Sequence, residues 1–146
     1  MSKPANPVEI TDNLPDQTIQ RSNTDNAPRS AIHQTLYSAD TFAQHDYLAG
    51  KNLPDIARPQ EGQINWLHFV GINDAALLKH ALEPYGIHEL VIEDILSRKQ
   101  RPKIEDYGNY VFTAAQVYHY TTTGKLHSDQ VYVIIGKDFV LSFQQK

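Results

Sequence analysis

The chain has no cysteine among its 146 residues. That excludes a disulfide framework and a thiolate zinc site, and nothing then demands an oxidising compartment. Long hydrophobic runs are missing too. The longest unbroken aliphatic or aromatic stretch is Val131-Tyr132-Val133-Ile134-Ile135, far short of the roughly 18–20 apolar residues that cross a bilayer as a helix. Positive charge is not in excess: Lys+Arg 13 against Asp+Glu 17 leaves a net charge of −4, the wrong sign for a general nucleic-acid binder. The seven glycines sit singly at turns, so no glycine-rich phosphate loop exists, and neither a nucleophile elbow nor a paired-histidine helix can be found. With no nucleophile, base pair or cofactor loop to name, an enzyme is the least favoured reading, and no organic cofactor is expected.

What is present divides near residue 30. Residues 1–30 hold Pro4, Pro7, Pro15 and Pro28, half of the eight prolines, and no aromatic residue. Such a segment has too little apolar surface to offset the entropy of ordering it, so it reads as a disordered leader ahead of a folded domain at 31–146. Gln34 to Ser38 reads as a short edge strand, followed by a polar, unpatterned stretch to Gly62. Ile64 to Val70 is a better strand with apolar residues on both faces, and Trp66 reads as core. Asn73 or Asp74 then caps a helix whose stripe is Leu77, Leu78, Ala81, Leu82 and Tyr85, closed by Pro84 and Gly86. A second helix runs from His88, its cap, to about Ser97. Beyond Pro102 the pattern turns to β: Tyr110–Tyr120, Ser128–Ile135 and Phe139–Phe143 form an antiparallel meander. The fold class is α+β, a mixed sheet flanked by helices in α/β/α layers that ends in a meander.

Few residues carry chemistry. The seven histidines lack ligand spacing, although His119 and His127 flank one turn and can face each other across it. Arg98, Lys99, Arg101 and Lys103 form a basic cluster suited to the negative end of the second helix. Glu93 and Asp94 adjoin within that helix, where neighbours diverge by about 100° and so cannot share one ion by themselves. A solvated helix face accounts for them. Hard oxygen ligation of a divalent cation is also compatible, because magnesium keeps most of its waters and takes one or two carboxylates.

The run Gly86-Ile87-His88-Glu89-Leu90-Val91-Ile92-Glu93-Asp94-Ile95-Leu96 resembles the helix signature of the CorA family of magnesium and cobalt transporters. It continues into Gln100-Arg101-Pro102-Lys103-Ile104-Glu105 and Tyr107-Gly108-Asn109-Tyr110-Val111-Phe112. Upstream, Ile64-Asn65-Trp66-Leu67 with Gly71-Ile72 is similar to the family's Trp-bearing strand. Downstream, Ser128-Asp129-Gln130-Val131 and Phe139 to Gln144 are similar to its closing hairpin. The resemblance covers Ile64 to Lys146 well and Tyr37 to Gly62 loosely.

The resemblance implies the N-terminal cytoplasmic domain of a homopentameric channel, on the inner side of the cell membrane. Mg2+ or Co2+ would be transported, and Mg2+ bound between neighbouring subunits would hold the pore closed. Asp94 then matches the principal regulatory ligand and Glu93 an accessory one. The stalk helix, the membrane spans and the Gly-Met-Asn pore signature of the family do not occur in this sequence, so the chain alone is expected to be soluble. Its attachment to a membrane would run through a C-terminal part beyond Lys146. Two rivals share the fold: the cytoplasmic domain of a ZntB-like zinc transporter, and a stand-alone binding module. Nucleic acid is not an expected partner.

Overall fold

Apolar side chains recurring at a period of two decide which residues enter the sheet and which face they bury. The computed structural model describes residues 30–48, 52–71 and 73–145. The expected leader therefore lies, apart from Ser30, outside the described residues. Seven strands, β1 (Ala31–Tyr37), β2 (Phe42–Leu48), β3 (Ile64–Val70), β4 (Lys103–Asp106), β5 (Tyr110–Tyr120), β6 (Leu126–Gly136) and β7 (Phe139–Gln144), form one sheet in the order β2-β1-β3-β7-β6-β5-β4. Every pair is antiparallel except β3 and β7, which run parallel at the centre. The expected α+β class with a mixed sheet is what forms.

The register builds the core in rows. Ile32, Phe69, Phe143, Tyr132 and Ala114 align across five strands, and the adjacent row runs Gln34, Leu67, Leu141, Ile134 and Phe112. All ten are buried. At β4 the rows end on two charged residues, Lys103 opposite Ala114 and Glu105 opposite Phe112. Two helices, α1 (Ala75–Leu82) and α2 (Glu89–Ser97), lie over these rows and add Leu78, Ala81, Leu82, Val91, Ile92 and Ile95 to the same core. Each of the Leu, Val and Ile side chains among them contributes about 1.5–3 kcal/mol on full burial. The Asp74 carboxylate caps α1 by accepting from the Leu77 N–H at 3.0 Å. Pro84 then enters a single 3-10 turn, Glu83–Tyr85, and Gly86 at φ 62° ends it in the left-handed region.

Both described helices cover one face, and the second helical layer expected from sequence is not among the described residues. The other face carries Trp66, Ile135, Val117 and Ile104 as exposed apolar residues. Trp66 is therefore not core. Asn65, Leu67 and Phe69 take the inner face, so strand alternation turns Trp66 outward, where its Nε1–H donates to Ser142 Oγ at 3.0 Å.

Two further sequence expectations are corrected. β1 is longer than Gln34–Ser38 and is interior, because the stretch after it is not patternless but supplies the edge strand β2. The meander has four strands, since β4 precedes β5. Gln34, polar though it is, is 1% exposed. Its amide donates to Ala57 O at 2.7 Å and Asn65 Oδ1 at 2.9 Å, while Tyr47 OH donates to its oxygen at 3.0 Å. Asn65 in turn donates to Tyr85 OH at 2.9 Å. A buried amide is tolerated where its polar atoms are paired in this way.

Candidate metal site on the second helix

α2 begins at His88, whose ring Nδ1 accepts from Leu90 N at 3.1 Å while its backbone N–H donates to Tyr110 OH at 2.9 Å. The expected cap is thus present, and it pins the helix start to β5. Val91, Ile92 and Ile95 face the sheet. That phase leaves Glu93 exposed and sets Asp94 on the flank of the buried stripe, with 23% of its side chain accessible. The two carboxylates diverge, as helical geometry requires.

The helix ends abruptly. Arg98 adopts φ 59°, the only non-glycine residue with positive φ among the described residues, and the reversal brings the chain back beneath its own helix. Gln100 Nε2 donates to Asp94 Oδ1 at 2.9 Å and to Ser97 Oγ at 3.1 Å. The Gln100 backbone is clamped to β6, because its N–H donates to Gln130 Oε1 at 3.1 Å and its carbonyl accepts from Gln130 Nε2. Lys103, at the start of β4, donates to Asp94 Oδ2 at 2.7 Å and to Glu105 Oε1 at 3.2 Å. Its ammonium sits 5.6 Å from the Phe112 ring centroid. Tyr107 OH donates to the second Glu105 oxygen at 3.2 Å. The hydrogen bond to Asp94, helped by Glu105 and opposed by partial burial, holds the Lys103 ammonium above the usual lysine range.

Of the basic cluster, then, Lys103 pairs with the Asp94 side chain instead of serving the helix end. Glu93 makes no hydrogen bond or ion pair among the described residues, although its charge acts on Lys79, which pairs with Glu89. Beneath this region Tyr132 is fully buried, and its hydroxyl has no hydrogen-bond partner among the described residues. Burial and the Asp94 charge push its pKa up while Lys103 pulls it down, so both charges lie within electrostatic reach.

Elsewhere, His119 and His127 do meet across their hairpin, with ring centroids 5.3 Å apart and edge to face, each 3.6 Å from the Asp129 carboxylate. No group of three or more His, Cys, Asp or Glu side chains among the described residues is placed to hold a metal ion. Asp94 suits magnesium as one hard-oxygen ligand of an ion that keeps its waters and draws further ligands from elsewhere. The match is one of donor chemistry, since Lys103 already occupies the approach to Oδ2.

Comparison with known proteins identifies the family to which the chain belongs. The chain is 42% identical over 82 residues to the cobalt/magnesium transport protein CorA of Thermotoga maritima, covering 56% of this chain and 23% of that protein. It is 34% identical over 97 residues to the putative metal ion transporter YfjQ of Bacillus subtilis, covering 64% of this chain and 28% of that protein. The chain thus spans about a quarter of the length of these curated relatives. Its fold is similar to that of full-length CmaX (TM-score 0.58, 14% identity, 84% of this chain and 37% of the other). It is similar also to the CorA magnesium transporter of Methanocaldococcus jannaschii (TM-score 0.55, 9% identity, 80% of this chain and 32% of the other). The ZntB cytoplasmic domain of Vibrio parahaemolyticus shares it as well (TM-score 0.53, 9% identity, 81% of this chain and 45% of the other). The profile described as CorA-like Mg2+ transporter protein matches residues 61–146, more than half of the chain, and the chain belongs to that family.

Proposed function

We propose that this chain is the divalent-cation-sensing region of a CorA-type magnesium/cobalt transporter, acting on the cytoplasmic side of the membrane in a homo-oligomer, a pentamer in the family. The carrying observation is Asp94: a carboxylate on the flank of α2, partly accessible and already paired with a cation. It is the principal ligand in this reading, and Glu93, exposed beside it, is accessory. The ion bridges neighbouring subunits, so it binds the closed assembly better than the open one. By linkage it then stabilises closure by that difference in affinity, and its loss lets the pore relax open. No helix among the described residues is long and apolar enough to cross a membrane; this proposal assigns the pore to a part of the parent protein outside this chain.

The test is Asp94→Ala in the full-length parent protein, with transport followed as magnesium is titrated on the cytoplasmic side. Inhibition should require a magnesium concentration about tenfold higher or more, as expected for losing a charged ligand from a sparse site. Closure at the wild-type concentration would remove Asp94 from the sensing role. A zinc-transporting protein of ZntB type is the second reading, favoured by the fold shared with the ZntB cytoplasmic domain. Parallel uptake assays with zinc and magnesium separate the two.

A further inference from the structure

Lys103 continues a buried apolar row at the sheet edge, opposite Ala114, yet its ammonium turns toward two carboxylate oxygens. Asp94 Oδ2 and Glu105 Oε1 converge on it from different elements, α2 and β4, at 2.7 and 3.2 Å. Gln100 fixes the remaining oxygen of Asp94, and Tyr107 that of Glu105. The position of that nitrogen is therefore a cation position with two oriented hard-oxygen donors in a single chain, which is the number magnesium takes while keeping its other waters. The Tyr132 hydroxyl adds an independent sign. It is wholly buried in the same row of the sheet as Lys103, within electrostatic reach of both Asp94 and Lys103, and has no hydrogen-bond partner among the described residues. A phenol oxygen accepts a hydrogen bond from a water held by a metal ion.

We propose that Lys103 is a resident surrogate for the divalent cation, and that Asp94 and Glu105 together receive the ion when it displaces the Lys103 ammonium. This rests on Asp94 being a cation ligand, as proposed above, and adds Glu105 as its intrachain partner. Ion binding and the Lys103–Asp94 pair compete, since the ion takes the position between Asp94 Oδ2 and Glu105 Oε1 that the ammonium holds, and two positive charges there repel. The apparent affinity is then lowered by the fraction of chains in which Lys103 is paired. The lysine thus sets the threshold at which the site responds, and the neutral Gln100 donor can stay in place throughout.

The experiment uses the 15N-labelled 146-residue chain with Mn2+ as a paramagnetic probe, reading the broadening of amide signals around Asp94 and Glu105. Lys103→Met should reach half-broadening at an Mn2+ concentration about tenfold below wild type, for removal of one competing charge. Lys103→Arg, which keeps that charge, should stay near wild type. Glu105→Gln placed in the Lys103→Met chain should raise the concentration several-fold, and Asp94→Asn should abolish the local effect. Equal Mn2+ dependence of wild type and Lys103→Met, both lost with Asp94→Asn, would overturn the surrogate role and leave Asp94 as a ligand. Broadening indifferent to Asp94→Asn would overturn the ligand reading itself. If Lys103→Met fails to fold, the ζ-ammonium signal of Lys103 in wild type decides: added Mg2+ should move it toward the exposed lysines, and an unmoved signal would refute displacement.

Discussion

His68 shows how a single side chain on the outer face ties stability to pH. Its Nδ1 lies 2.8 Å from Ser142 Oγ, and its ring stacks on that of His33 at 6.1 Å, while His33 itself pairs with Asp46 at 2.6 Å. Burial first, and the neighbouring His33 second, lower its pKa below the ordinary 6.5. The unfolded chain therefore binds more protons at this position than the folded one once pH drops below that value. The contribution of His68 to stability is whole above it and declines as pH falls toward the folded-state value. Urea unfolding should show a lower midpoint at about pH 5.5 than at about pH 7.5, with a smaller difference in His68→Gln. In an NMR titration, His33→Gln should raise the His68 midpoint. An unchanged midpoint would show that the stacked ring exerts no charge effect. None of this is visible in the sequence, where His33 and His68 are 35 positions apart and meet only because β1 pairs with β3 in the register His33 opposite His68.

At the scale of the element, the hairpin from β6 to β7 depends on one missing carbon. A Cβ on Gly136 would lie 2.2–2.8 Å from three atoms of the Phe139 ring, which packs at 4.8 Å on Tyr85. Gly136→Ala should cost about 1–3 kcal/mol by displacing that ring. The cost should shrink in a Phe139→Leu background, as a double-mutant cycle by urea unfolding would read. Additive costs would place the strain elsewhere. Where the hydrophobic period is complete, elements were legible: Ile64–Val70 and Tyr110–Tyr120 are the strands their patterns predict, and both helix caps are the residues expected. β2 and β4 were not legible, because edge strands bury little and need no alternation. β2 holds one register through β1, and β4 presents Lys103 and Glu105 to the inner face instead of apolar residues. Asp94 stood out through family resemblance, not through its own spacing. Its partnership with Lys103 is set by a left-handed reversal at Arg98, where an arginine fills a conformation that glycine usually marks.

For the whole molecule, the two faces of the sheet are unequal. One is sealed by α1 and α2, and the other displays Trp66, Ile135, Val117 and Ile104 at 44%, 51%, 48% and 75% exposure. Apolar surface of that kind favours contact with other surfaces. The chain should associate as its concentration rises, by sedimentation velocity, with a blue shift of the single tryptophan, and Ile135→Lys should weaken the association. A monomer stable to dilution, with unchanged emission, would count against it.

The central position of β7 has a consequence for synthesis. It is the last described strand to leave the ribosome, yet it lies between β3 and β6 and is, among the described residues, the only strand that links the β2-β1-β3 and β6-β5-β4 halves of the sheet. The nascent chain can form both antiparallel halves early, from neighbouring segments, but cannot join them until β7 arrives and threads the seam. A ribosome stalled before Phe139 would hold two unjoined half-sheets, each exposing the edge that β7 later fills, and a chaperone waiting there would meet backbone hydrogen-bonding groups as well as apolar side chains.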